Sequence, residues 1–104
     1  MILATADTIE GREIVETIGI VRGNAARARG VGYDITAGIR NIFGGAVPEY
    51  SHLMTQSRDE ATQMMIEAAE ASGADAIVAV RYTTSTIAAG VSEILAFGTA
   101  VKLR

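Results

Sequence analysis

Few residues in this chain are of types that do chemistry, and only one spacing among them is suggestive. The single histidine, His52, has Glu49 three positions before it and Gln56 four after it. On a helix those offsets share a face, so an imidazole and a carboxylate would point together, as a divalent-metal site begins. Protein metal sites use three or four ligands, and one chain offers two here. Symmetric copies would have to supply the rest. The plainer reading is a solvated histidine on a helix flank.

Tyr50, Arg58 and Arg81 are the candidates for holding a small ligand or cofactor, because an arginine set against an apolar sheet or a subunit boundary recruits a carboxylate or another anion. A structural ion pair is their simpler role. Met1, Met54, Met64 and Met65 could offer thioethers to a soft metal, but Met64 and Met65 sit on an apolar helix stripe, where such flexible side chains fill gaps. Glu67 with Glu70, and Asp59 with Glu60, read as a solvated helix face; an acid and base pair needs one member buried. Ser51, Ser57, Ser85 and Ser92 lie outside any GxSxG setting, and one histidine gives a hydrolytic triad little support. Gly30-Val31-Gly32 lacks the third glycine of a dinucleotide loop. No catalytic residue is assigned.

Composition narrows the classes further. The chain has no cysteine, which removes disulfides, thiolate nucleophiles, zinc fingers and iron-sulfur clusters. A net charge of -3, with Arg22, Arg27 and Arg29 as a small basic group, argues against nucleic-acid partners. No apolar run approaches the roughly 20 residues of a membrane helix, and no leader pattern stands at the amino end. The expectation is a soluble, cytoplasmic protein with no membrane contact. Yet 49% of its residues are hydrophobic and only 20% charged. A small domain has much surface per unit volume, and contiguous apolar patches are rare on monomers. The surplus is therefore expected between copies, in a closed ring or a C2 dimer.

The elements that would position these residues follow from pattern. Residues 2–5 predict a short strand and residues 13–22 a longer one, with Ile14, Ile18 and Ile20 on one face and Val15, Thr17 and Val21 on the other. Gly19 and Gly23 inside or beside that strand mark a bulge or a close backbone approach. Asp34 caps a short helix that carries Ile35, Ile39, Ile42 and Phe43 and ends at Gly44-Gly45. Pro48 opens a long helix reaching Ser72, with Tyr50, Met54, Ser57, Ala61, Met64, Met65, Ala68 and Ala69 on its packing stripe and Gly73 as terminator. Residues 74–80 predict a strand covered on both faces. A bend at Ala88-Ala89-Gly90 leads to a last strand, whose Ala96, Gly98 and Ala100 would let a helix or a second copy approach closely.

Gly11 and Ile14, Gly19-Ile20-Val21 with Gly23, Gly44-Gly45, Tyr50, Arg58, Gly73-Ala74-Asp75-Ala76 and Gly98-Thr99-Ala100-Val101 stand in an order that resembles the YbjQ-like family, also called UPF0145 or DUF74, over essentially the whole chain. The resemblance implies a small α+β domain assembling as a ring, a homopentamer, in a bacterial or archaeal cytoplasm. It implies no established activity, and it brings a heavy-metal-binding label that a chain without cysteine and with one histidine weakens. Where relatives often show acidic residues after the apolar strand, this chain has Arg81 and Thr83.

The expectation is one YbjQ-like domain over residues 1–104: α+β, a mostly antiparallel sheet with one short and one long helix on one face, assembling as a ring. Its role is expected to be binding or scaffolding, with itself as partner and a small ligand or divalent metal as the candidate guest. Two alternatives stand beside it. One is a heavy-metal-binding protein using Glu49, other carboxylates and His52 across subunits; the other is an enzyme whose site spans the subunit boundary around Tyr50 and Arg58.

Overall fold

A computed structural model describes residues 1–28 and 48–104, with backbone alone for 27, 28 and 48–51. The element order is β1 (Ile2–Leu3), β2 (Ile14–Ala28), α1 (Pro48–Ala71), β3 (Ala76–Ala88) and β4 (Val91–Leu103). The strands form one sheet in the order β1-β3-β4-β2. β4 pairs antiparallel with both β3 and β2, whereas β1 pairs parallel with β3, so the sheet is mixed. The predicted long helix is α1; the predicted short helix after Asp34 lies outside the described residues.

Two strands outrun their sequence signals. β2 is predicted to stop near Arg22 but continues to Ala28. Residues 23–28 have weak strand propensity, and what holds them extended is β4, with which they stay in register from Ile20 opposite Thr99 to Ala28 opposite Val91. β3 likewise continues past Val80 through polar, β-branched residues. It returns to β4 at the predicted bend, where Gly90 has φ 73°, a left-handed conformation glycine enters freely.

α1 begins at Pro48, whose missing N–H would be unpaired there anyway. It ends in a Schellman motif: the Ala74 N–H donates to the Ala69 carbonyl and the Gly73 N–H to that of Glu70, both at 3.0 Å. Its buried row is Ser57, Ala61, Met65 and Ala69, one residue per turn on a single line. The predicted stripe is too wide, for Met64 is 46% exposed and Ala68 is exposed. The row is narrow because the facing sheet carries small side chains. Gly23 has no room for a Cβ, which would stand 2.6 Å from the Met65 nitrogen. Val21 and Ala25 on β2, with Ile94, Ala96 and Ala100 on β4, complete that layer.

The opposite face has a smaller core of Ala76, Val78, Val101 and Leu103, covered by Ile9 and Ile14. Asp75 fastens this end of the sheet, since its carboxylate accepts the Leu103 N–H at 2.8 Å.

A bulge in β3 decides which side chains reach α1. Val78 pairs with Thr99 and Arg81 with Phe97, so Ala79 and Val80 together oppose Gly98. Ala79 has φ 53°, and its N–H donates to the Ala6 carbonyl at 2.9 Å. The extra residue shifts the alternation by one. Ile77 faces α1, but so does Val80, and Tyr82 and Thr84 follow Val80 on that face.

Candidate functional site

The shifted alternation lines up Tyr82 and Thr84 with their register partners Ala96 and Ile94 on the side of the sheet that α1 covers. Tyr82 is tied to the helix there: its phenol oxygen lies 2.7 Å from the Thr62 hydroxyl. The Thr62 hydroxyl also donates to the Arg58 carbonyl at 2.8 Å, which leaves the Tyr82 hydroxyl to donate to Thr62. Between the first half of α1 and this stretch of β3 is an open cleft of about 150 Å³, lined by Met54, Arg58, Tyr82, Thr83, Thr84 and Ile94. Its chemistry is amphipathic: a thioether and an aliphatic chain, hydroxyls, and one cation. Among the described residues the Arg58 guanidinium has no hydrogen-bond or ion-pair partner.

The two arginines singled out in the sequence do not converge. Arg58 lines the cleft, but Arg81 pairs with Phe97 on the other face of the sheet. There its guanidinium donates to the carbonyls of Thr5, at 2.9 Å, and Val80, at 2.8 Å. Arg81 thus binds the bulge to the segment after β1, a structural task its position beyond an apolar strand does not disclose. Tyr50 and Glu49 lie in the first turn of α1, and His52, two residues further on, is exposed. Asp59, Glu60, Glu67 and Glu70 are all exposed, as a solvated helix face requires. Tyr82 and Thr84, which line the cleft, carry no signal in the sequence as site residues. Their facing depends on the bulge, and nothing in the run Ile77 to Val80 advertises a bulge.

Among the described residues of one chain the donors do not fit a heavy metal. Among the described residues no three of His, Cys, Asp and Glu stand close enough to hold an ion, and cysteine, the usual soft ligand, is absent from the sequence. Two of the thioethers are engaged in the fold: Met65 is fully buried, and the Met64 sulfur accepts the Asn24 N–H at 3.4 Å.

The fold and cleft define a small α+β domain with, among the described residues, one helix on a four-stranded mixed sheet and an amphipathic recess beside the helix. The chain belongs to the YbjQ-like, or UPF0145, family: the family model described as "Putative heavy-metal-binding" matches residues 1–104. A UPF0145 protein of Halorubrum lacusprofundi is 57% identical over 104 residues, the full length of both chains. One from Vibrio parahaemolyticus is 53% identical, covering 99% of this chain and 98% of its own. One from Methanosarcina acetivorans is 50% identical, with 99% and 97% covered. A crystal structure of a DUF74-family protein of unknown function from Pediococcus pentosaceus shares the fold. Its TM-score is 0.67 at 16% identity, covering 100% of this chain and 98% of its own.

Proposed function

We propose that the chain works as a homo-oligomeric binding or scaffold module in the cytoplasm, assembled as a pentameric ring, and that it carries out no catalytic step. One observation carries the assembly: an apolar patch on the face of the sheet away from α1. Ile20, 80% exposed, pairs with Thr99, while the neighbouring registers set Phe97 beside Arg22 and Leu95 beside Asn24. Alternation puts Ile20, Phe97 and Leu95 together on that face, and Phe97 and Leu95 are only partly buried. The small opposite-face core reaches only the other end of the sheet. A patch of this kind on so small a domain is best covered by another copy.

Shape supports the same reading. The radius of gyration is 17.2 Å, against about 13 Å for a compact chain of ~100 residues. β2, 15 residues long, is an edge strand with no partner on its outer side among the described residues, and open edges invite pairing.

The family description favours a second reading, a heavy-metal-binding protein that completes its ligand set from Glu49, His52 and carboxylates of several copies. Native mass spectrometry of untagged protein purified without chelators tests both. A bare pentamer supports the scaffold. A pentamer carrying stoichiometric metal that His52→Ala removes supports the metal reading. A monomer at all practical concentrations overturns the assembly.

A further inference from the structure

We infer that the cleft between α1 and β3 is a binding site for a small monocarboxylate with a short apolar tail. The inference deepens the binding half of the function proposed above and does not need the ring. Arg58 supplies the recognition. A guanidinium presents a planar fork of donors matched to a carboxylate, and this one is left without a partner among the described residues at the mouth of a recess. Beside it the Thr84 hydroxyl can donate to the carboxylate, whereas the Tyr82 proton is already given to Thr62. Tyr82 is held in place by its bond to Thr62, and Thr84 lies two residues along the same face.

The rest of the lining selects what the carboxylate is attached to. Met54 and Ile94 are apolar; Ile94 is 4% exposed and belongs to the core beneath the helix. A tail lying on them would leave water, whereas a phosphate dianion would gain nothing from them and would find one cation for two charges. Size points the same way. About 150 Å³ is below the roughly 300–1,000 Å³ of sites for drug-sized ligands and suits a short-chain acid rather than a nucleotide. Among the described residues no carboxylate side chain lines the recess, so within that lining the charged group is the Arg58 cation although the chain carries a net charge of -3.

The test uses hexanoate as probe, with hexylamine and inorganic phosphate as controls. Titration is followed through the Met54 and Ile94 methyl resonances of the intact protein, with the subunit count read by native mass spectrometry on the same samples. Hexanoate should shift both methyls with a millimolar dissociation constant, and the two controls should not. Arg58→Ala, an exposed change to a good helix former, should weaken binding roughly tenfold or more, as loss of a charge-assisted contact does. Arg58→Lys should recover only part, because an ammonium cannot fork. Thr84→Val should weaken binding by a few fold while keeping the ring.

Unmoved methyls, equal shifts with hexylamine or phosphate, or an Arg58→Ala protein that binds hexanoate normally would each overturn the site. So would an Arg58→Ala protein that falls to monomers, since Arg58 would then be receiving a carboxylate of a neighbouring copy. A wild-type monomer that binds hexanoate would leave the site standing and remove the ring; a pentamer blind to hexanoate would do the reverse.

Discussion

Gly23→Ala should be among the most damaging single changes available, although it adds one methyl group to a strand. Elsewhere in a strand the change from glycine would help, by roughly 0.5–1 kcal/mol, through lost freedom of the unfolded chain. Here the new Cβ would overlap the Ala61 carbonyl oxygen and stand 2.6 Å from the Met65 nitrogen and 2.8 Å from the Met64 Cβ. Two of those three atoms are helix backbone and cannot swing aside. To move from 2.6 Å to the 3.4 Å where ordinary contact begins, α1 must retreat by at least 0.8 Å at Met65, and further at the nearer Ala61 oxygen. A gap of 0.5–1 Å forfeits about a quarter to a half of each dispersion well across it. The row that would lose contact is Ala61, Met65 and Ala69, each fully buried. Overpacking of this kind costs about 1–3 kcal/mol and occasionally more. With a rigid backbone on both sides the upper end of that range applies, about 3 kcal/mol, and the net after the glycine term is about 2 kcal/mol. Urea denaturation, with wild type and variant compared at equal protomer concentration because assembly would contribute, reads it directly. Gly98→Ala is the internal comparison. Its Cβ would first meet the Ile77 Cγ2 methyl at 2.7 Å and then the Val78 oxygen at 3.0 Å, so side-chain adjustment absorbs more and about 1 kcal/mol is expected. A Gly23→Ala protein within 0.5 kcal/mol of wild type would refute the placement of α1 on β2.

Three further outcomes follow from particular contacts. Asp75→Ala strands the Leu103 N–H that the carboxylate accepts at 2.8 Å and should cost about 1–2 kcal/mol in the same denaturation assay. Ala79→Gly should raise the melting temperature by about 2–4 °C, since an alanine at φ 53° bears a steric cost that glycine escapes; a lowered value would mean the bulge is built differently. Glu13→Gln removes the Arg104 ion pair, 3.3 Å long but with side chains 76% and 64% exposed. Stability should stay within about 0.5 kcal/mol and respond little to salt.

What the sequence discloses and what it hides divide along a physical line. Glycines are legible because their uses are few: Gly73 ends α1 and Gly90 turns the hairpin at positive φ. Gly19, predicted to mark a bulge or a close approach, sits at a shift in the β2 register, and Gly23 admits the helix backbone. The small side chains of β4 announce a close neighbour, and α1 is that neighbour. Strand ends are not legible where pairing overrides propensity, as in residues 23–28, because the stabilising partner is distant in sequence. The parallel pairing of β1 with β3 is hidden for the same reason. Arg58 was visible as a cation in search of a partner, but its neighbours were not. Tyr82 and Thr84 come to face it only through a one-residue irregularity that leaves no compositional trace.

That irregularity also governs how this region can change length. Beyond Val80 the two strands of the hairpin run to Ala88 and back from Val91, and the facing of β3 from Val80 to Thr86 is counted from the bulge, with a second register shift between Thr86 and Ala88. Lengthening or shortening this arm by one residue in each strand would turn the part beyond the change over, sending one set of side chains from the helix side to the open side. Two residues in each strand would restore the original facing. Insertions and deletions tolerated in this arm among homologous chains are therefore expected to come in even steps per strand, an arithmetic imprint of a single alanine at positive φ.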